Sequence, residues 1–279
     1  MTFDLVRRAR VASLGVEMEE YVHGSTRARH FHLVSEDANS AFLVAFPTVP
    51  RDSSGVAHIL EHTTLCGSER FPVRDPFFMM IRRSLATFMN AFTYSDFTAY
   101  PFASQCPKDF DNLLDVYLDA VFFPRLDDLD FLQEGWRIEP ADPGDPSSPL
   151  SLKGVVYSEM KGAMSSPVQR LQQELQSRLF PTTTYHHNHG GEPGEIPGLT
   201  LGDLRAFHRR HYHPSNAVFM TFGAAAATVH QRRMEDLALS RFSAIEVDTG
   251  IPDERRYPAP IAVEASANMP PIRKPPRAV

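Results

Sequence analysis

Cysteine is scarce. Cys66 and Cys106 are the two in 279 residues, too few for a disulfide framework and suited to a reducing compartment. Long apolar runs are also missing. A membrane-spanning helix needs ~20 consecutive apolar residues, and the best stretches, 41–46 and 217–227, fall short, the second broken by Thr221 and Gly223. There is no excess of positive charge. A formal net charge of −6 and a pI near 6.0 argue against nucleic acid or an anionic membrane as partner, because both favour a basic face. No secretory leader is legible. Arg7, Arg8 and Arg10 precede only a short apolar segment, 11–16, and Glu17, Glu19 and Glu20 follow. Asp4 and Glu17 speak against a transit peptide. The expected location is the cytoplasm, or in a eukaryote the mitochondrial matrix or plastid in processed form. Glycine disappears from the last 29 residues, of which seven are proline. Such a segment buries little, so a domain over 1–250 is expected, followed by an extended or disordered tail over 251–279 with a basic stretch at 272–277.

What is present is ordinary for a globular chain: 42% apolar and 22% charged residues, enough for a core without crosslinks. In order, 17–34 and 40–46 have strand character, and 36–40 has hairpin-turn composition between them. Asp52, Ser53 or Ser54 is placed to cap a helix starting near Gly55, with Gly67 as its stop. Pro76 opens a second helix. Its stripe of Phe77, Phe78, Met80, Ile81, Leu85 and Phe88 predicts a core face. Residues 90–94 and 97–103 predict paired strands turning near Ser95 and Asp96. Helices follow over 109–122 and 126–133, then a strand at 136–139. Four prolines in 140–149 mark a surface loop. Further helices are expected at 154–164, 168–179, 201–211 and 229–242, with a buried strand at 217–222 before the last. Strand pairs interspersed with helices predict an α+β fold, an antiparallel sheet packed by helices.

The chemistry concentrates in His58-Ile59-Leu60-Glu61-His62. On a helix, His58, Glu61 and His62 stand at i, i+3 and i+4, within about a quarter-turn of one face at roughly 100° per residue. Two imidazoles one turn apart grip one zinc ion through ring nitrogens. The intervening carboxylate then lies where a general base takes a proton from a zinc-bound water. The order His-x-x-Glu-His inverts the commoner zinc-peptidase motif. Cys66, four residues past His62, is read as a small buried thiol. The triplets His186, His187, His189 and His208, His211, His213 are read as surface histidines, since neither has a carboxylate spaced to act as base.

Several blocks carry a family resemblance: GVAHILEHTTLCGSERFPVRDPF, SLATFMNAFTYSDFTAYPFAS, FLQEGWRIE, GVVYSEMKGAMSSP and FHRRHYHPSNAVF. In this order they resemble the N-terminal part of the presequence-protease branch of the pitrilysin/insulinase-type zinc peptidases. The resemblance covers roughly 17–250. It implies the pitrilysin/mitochondrial-processing-peptidase-like domain, one Zn2+ held by His58, His62 and Glu159, and Glu61 as catalytic base. Spacing alone leaves Glu134, Glu139 and Glu174 open beside Glu159 as the third ligand. The resemblance further implies that Asn90, Ala91, Phe92 and Thr93 form an edge strand that binds the substrate backbone by β-augmentation. Members of this branch are several times longer, with a second half that closes over the site. This sequence therefore has the look of a truncated chain, and a second chain or remaining half is an expected partner.

The resulting expectation is a zinc-dependent endopeptidase acting on short unstructured peptides, with no nucleic-acid or membrane partner. The alternative is a non-enzymatic peptide-binding or assembly subunit, inactive without a second half.

Overall fold

The computed structural model describes residues 3–247, 250–264 and 266. The chain opens with strands β1 (Phe3–Val11), β2 (Val16–His23), β3 (Arg29–Val34) and β4 (Ser40–Pro47), then helices α1 (Val56–Thr64) and α2 (Pro76–Arg83). Strands β5 (Ala86–Met89), β6 (Phe92–Thr93) and β7 (Phe97–Ser104) come next, then α3 (Pro107–Phe122) and α4 (Asp128–Glu134). A small hairpin, β8 (Arg137–Pro140) and β9 (Leu150–Lys153), leads to α5 (Val155–Ala163) and α6 (Pro167–Leu179). The order closes with α7 (Leu201–His211), β10 (Val218–Gly223) and α8 (Ala227–Leu237).

Period-two burial builds the centre. In β4, Phe42, Val44 and Phe46 point into the core while Leu43 and Ala45 face the other side. Tyr100 and Phe102 of β7 and Phe219 of β10 share the buried face. Helix α3 covers it with Leu113, Leu114, Tyr117, Leu118 and Val121, recurring at helical spacing. Strand order in the main sheet is β1-β2-β3-β10-β4-β7-β5, and β6 pairs with β7. Every pairing is antiparallel except β3 with β10. The architecture is α+β, a mixed sheet packed by helices.

Several local expectations need correction. Residues 36–40 do not make a hairpin: β10 enters between β3 and β4 and pairs with both. A strand with Phe219, Thr221 and Gly223 buried, as in β10, is better covered by two neighbours than a β3/β4 edge would be. The helix from Pro76 stops at Arg83; Leu85 lies in the connection after it and Phe88 in β5. Its apolar stripe is not core. Phe77 is buried, but Phe78 is 59% exposed, Ile81 48% and Leu85 68%. Strand β1 has too little hydrophobic alternation and β9, at 4 residues, is too short to be legible; they form as hairpin partners of β2 and β8. The last helix ends at Leu237 with a 3-10 turn beyond it. Within the expected tail, 250–264 carries no helix or strand, and Glu254 accepts hydrogen bonds from Thr182 and Thr183. Residues 265 and 267–279, including the basic stretch, lie outside the described residues.

Candidate metal centre and active cleft

Helix α1 has two faces. Ile59 and Leu60 are fully buried, whereas the side chains of His58 and His62 keep 13% and 25% exposure. Thr64 fixes the buried side by bonding Tyr100 Oη at 3.0 Å, which in turn bonds Tyr212 Oη at 2.8 Å. The helix start differs from the sequence expectation. No side chain caps it; Gly55 is the N-cap, at φ 73°. Glycine is needed there for contact as well as for backbone angle. A Cβ on Gly55 would lie 2.9 Å from the Gly190 oxygen. That close approach lets the segment 188–192 pack on the mouth of α1, where Glu192 N–H donates to the Ser53 carbonyl at 2.7 Å.

The packed segment orients His58. Its Nδ1 lies 3.1 Å from the Gly190 carbonyl oxygen. A carbonyl only accepts, so Nδ1 carries the proton and Nε2 presents a lone pair. His62 is oriented the same way by a different group: Nδ1 is 3.0 Å from Glu134 Oε2. Burial pulls the His62 imidazole down, but the Glu134 hydrogen bond and the charges of Glu61, Glu134 and Glu159 outweigh it and raise its pKa. Burial pushes Glu134 up, while the His62 and Gln133 hydrogen bonds hold it below the usual carboxylate range. The Glu134 contact places a proton on His62 Nδ1, so the neutral ring presents its lone pair at Nε2. The two rings stand 5.0 Å apart, nearly perpendicular.

Glu159 arrives from α5. Its Oε2 is 3.9 Å from His58 Nε2, and its side chain is 54% exposed. One ligand atom each from His58, His62 and Glu159 lies within 4.8 Å of the others, the one such His/Cys/Asp/Glu group among the described residues. Glu139 is engaged with Arg137 and Lys153, and Glu174 with Arg178, so neither joins. A second glycine holds this corner together. Gly154, at φ 152°, abuts the end of α4 so closely that a Cβ would lie 2.0 Å from the Gly135 oxygen. The contact fixes the carrier of Glu134 against the carrier of Glu159.

Glu61 is buried beside the group, 8% exposed, and its Oε2 accepts from Thr93 Oγ1 at 2.6 Å. Thr93 belongs to β6, which pairs with β7 on one side and has no strand on the other among the described residues. Asn90 and Ala91 precede it without strand structure, and Asn90 Oδ1 accepts the Ala91 N–H at 2.9 Å. A cleft of about 600 Å³ runs between these residues and α6, lined by His58, Glu61, Glu159, Asn90 to Thr93 and His189. Gln169, Gln172, Gln173 and Gln176 form its α6 wall. A second, apolar recess of about 280 Å³ adjoins Glu61 and His62, lined by Leu65, Phe77, Phe78, Ile81 and Met89.

Cys66 is a buried thiol whose Sγ donates to the His62 carbonyl at 3.4 Å; burial pushes its pKa well up, so it stays a neutral thiol. The other histidine triplets form no metal group among the described residues. They are not all on the surface, however. His211 is buried against Phe207, His208 donates through Nε2 to the Val121 carbonyl, and His189 faces the cleft. The sequence reading missed two groups, Glu134 as the partner of His62 and the Gly190 carbonyl as the partner of His58. Glu134 stood among the open carboxylates, but no spacing signal reports a backbone carbonyl brought from elsewhere in the fold.

Residues 49–139 match the insulinase family, peptidase family M16. That segment includes His58, Glu61, His62 and Glu134 but stops before Glu159. Over 238 residues, 85% of this chain, the sequence is 53% identical to the mitochondrial presequence protease of Xenopus tropicalis, of which the match spans 23%. The chain thus spans about a quarter of the length of the curated relatives it matches. Among solved structures, a protease from Helicobacter pylori superposes with a TM-score of 0.67 at 18% identity, covering 85% of this chain and 53% of that one. Pitrilysin superposes with a TM-score of 0.66 at 16% identity, covering 89% of this chain and 25% of its own.

Proposed function

We propose that this chain, whose residues 49–139 match the M16 insulinase family of peptidases and which is 53% identical to a presequence protease over 238 residues, is the catalytic domain of a zinc endopeptidase that hydrolyses short unstructured peptides. One observation carries the reading. His58 and His62 each have Nδ1 engaged by an acceptor and Nε2 free, and both converge with Glu159 while Glu61 stands beside them. Two neutral imidazoles and one carboxylate are the donor set of a catalytic zinc site with an open position. The outer partners Gly190 and Glu134 are of the kind that fix metal-bound histidines. The residues therefore fit the ion.

When bound, zinc supplies Lewis acidity, which polarises the scissile carbonyl and makes water nucleophilic near neutral pH. Glu61 takes the proton of the attacking water and passes it to the leaving amine. Because Thr93 occupies Oε2, Oε1 is the atom that receives it. Asn90, Ala91, Phe92 and Thr93 bind the substrate as an added strand on the free side of β6, reading backbone groups irrespective of sequence. Folded proteins do not offer such a strand. The apolar recess beside Glu61 takes a bulky apolar side chain next to the scissile bond, which gives the site a preference where the strand gives none.

The relatives' mitochondrial designation makes the matrix the proposed location if the source is a eukaryote. Cys66 and Cys106 are both free, which suits the cytoplasm equally. No helix among the described residues is long and apolar enough to cross a membrane. The test is cleavage of an unstructured peptide by the purified chain, with and without chelator. Chelator-sensitive cleavage at bonds beside bulky apolar residues is expected. Peptide binding with no cleavage in excess zinc would assign the chain to a binding role instead.

A further inference from the structure

We propose that His189 is a substrate-binding residue whose Nε2–H donates a hydrogen bond to a backbone carbonyl of the bound peptide, beside the His58/His62/Glu159 group. The inference rests on the peptidase reading above and adds to it a donor that metal and base do not provide.

Placement comes first. His189 lines the cleft with His58, Glu61, Glu159 and Asn90 to Thr93. It directly precedes Gly190, whose carbonyl orients His58. Its Nδ1 lies 3.2 Å from Ser95 Oγ, in the turn that follows β6. The imidazole is thus tied to the strand end, and the backbone directly after it to helix α1.

The hydrogen-bond chain determines which nitrogen carries the proton. Gln176 Nε2 donates to Ser95 Oγ at 3.5 Å, and an amide nitrogen cannot accept. The Ser95 hydroxyl has no other acceptor among the described residues, so its proton is assigned to His189 Nδ1. With Nδ1 accepting, a neutral ring carries its hydrogen on Nε2. The ring is held neutral: burial lowers its pKa, and the neighbouring His58 lowers it further. A cation at the metal group acts in the same direction.

The substrate supplies the need. In an extended peptide, successive carbonyls point to opposite edges. One edge pairs with β6, so the carbonyls on the other edge lose water in the cleft and need donors from its walls. Gln169 and Gln172 carry no hydrogen bond to the described residues, but they are long side chains on an exposed helix. His189, held by Ser95, loses little rotamer freedom on binding.

The experiment measures anisotropy of a fluorescein-labelled unstructured peptide with one central Phe. The protein is the full zinc-loaded chain bearing Glu61→Gln, so that the peptide stays intact. Adding His189→Phe is expected to weaken binding about 5–10-fold. Adding His189→Gln, which keeps an N–H donor, should restore most of it. Zinc stoichiometry should be unchanged in both. In the parent with Glu61 intact, His189→Phe should raise KM with little change in kcat. Equal peptide affinity with and without the imidazole overturns the proposal. A readout without any change at His189 is the ring 15N spectrum of the Glu61→Gln chain. Nδ1 should have the signature of an acceptor, and the Nε2–H resonance should move when peptide is added. A proton on Nδ1, or no response at Nε2, overturns the proposal even if the Phe variant fails to fold. A Glu61→Gln chain that binds no peptide at all overturns the substrate reading together with this one. Binding that is indifferent to His189 overturns this one alone.

Discussion

At the scale of single residues, the cleft depends on atoms whose alternatives are already occupied. Glu61 has one carboxylate oxygen engaged by Thr93 and the other free. Glu61→Gln preserves shape and the Thr93 contact but cannot take a proton. Metal content should stay at one zinc per chain while peptide hydrolysis drops by about 10²–10⁴, as read by metal analysis and a cleavage assay on one preparation. Parent-like cleavage would remove Glu61 from the role of base. Glu134 acts through His62. Glu134→Ala should weaken zinc binding by about 10–100-fold, because Nδ1 loses its acceptor and the ring its orientation. A competition titration with a chromophoric chelator measures this, and Glu134→Gln, which keeps an amide oxygen, should lie between the two.

At the scale of elements, the site is a meeting of helix ends. Helix α4 ends on Glu134, and α5 begins directly beside it at Gly154. The φ of 152° and the 2.0 Å approach to the Gly135 oxygen leave no room for a side chain. Gly154→Ala should therefore destabilise the chain by about 2 kcal/mol or more, lowering the melting temperature and the zinc affinity together. The face of α2 has the opposite character. Phe78 is largely exposed, so its loss leaves no sealed cavity. Phe78→Ala should leave the melting temperature nearly unchanged and lower kcat/KM for peptides with Phe at the cleaved bond relative to those with Ala there. An equal effect on both peptides would show that the recess does not read the side chain.

At the scale of the whole molecule, a run of buried histidines couples stability to pH. Gln231 Nε2 donates to His30 Nδ1, His30 Nε2 donates to Thr221 Oγ1, and Thr221 Oγ1 donates to His32 Nδ1. This one-way chain joins α8 to β10 and β3 and requires neutral rings. Burial, with repulsion from His32 and His230, pushes His30 down to about 3, and burial takes His230 to about 4 and lowers His32. In the unfolded chain these groups titrate near 6.5. Above that pH both states bind the same number of protons and stability is flat. Below it the unfolded state binds more, so stability falls as pH drops from about 6.5 toward 4, by up to about 1.4 kcal/mol per pH unit per histidine. Urea midpoints should fall over this range, and His30→Gln should reduce the slope. A slope unchanged by that substitution would place the pH dependence elsewhere.

Much of this was legible along the chain because the forces concerned are local. Fixed helical geometry put His58, Glu61 and His62 on one face before any packing was known, and the period of apolar residues marked α3 within two residues. Local pattern also misled where composition and environment part. The stripe of Phe78 and Ile81 carries the same signal whether it meets a core or lines an open recess. The tertiary structure decided what spacing left open, that Glu159 lies within reach of both histidines, and it alone showed that Glu134 and the Gly190 carbonyl bond their Nδ1 atoms and that β10 separates β3 from β4. A helix sets spacing only over a few residues. Which distant carboxylate reaches the site depends on contacts such as Gly154 against Gly135 and Gly55 against Gly190, and these exist only once the elements between them have packed.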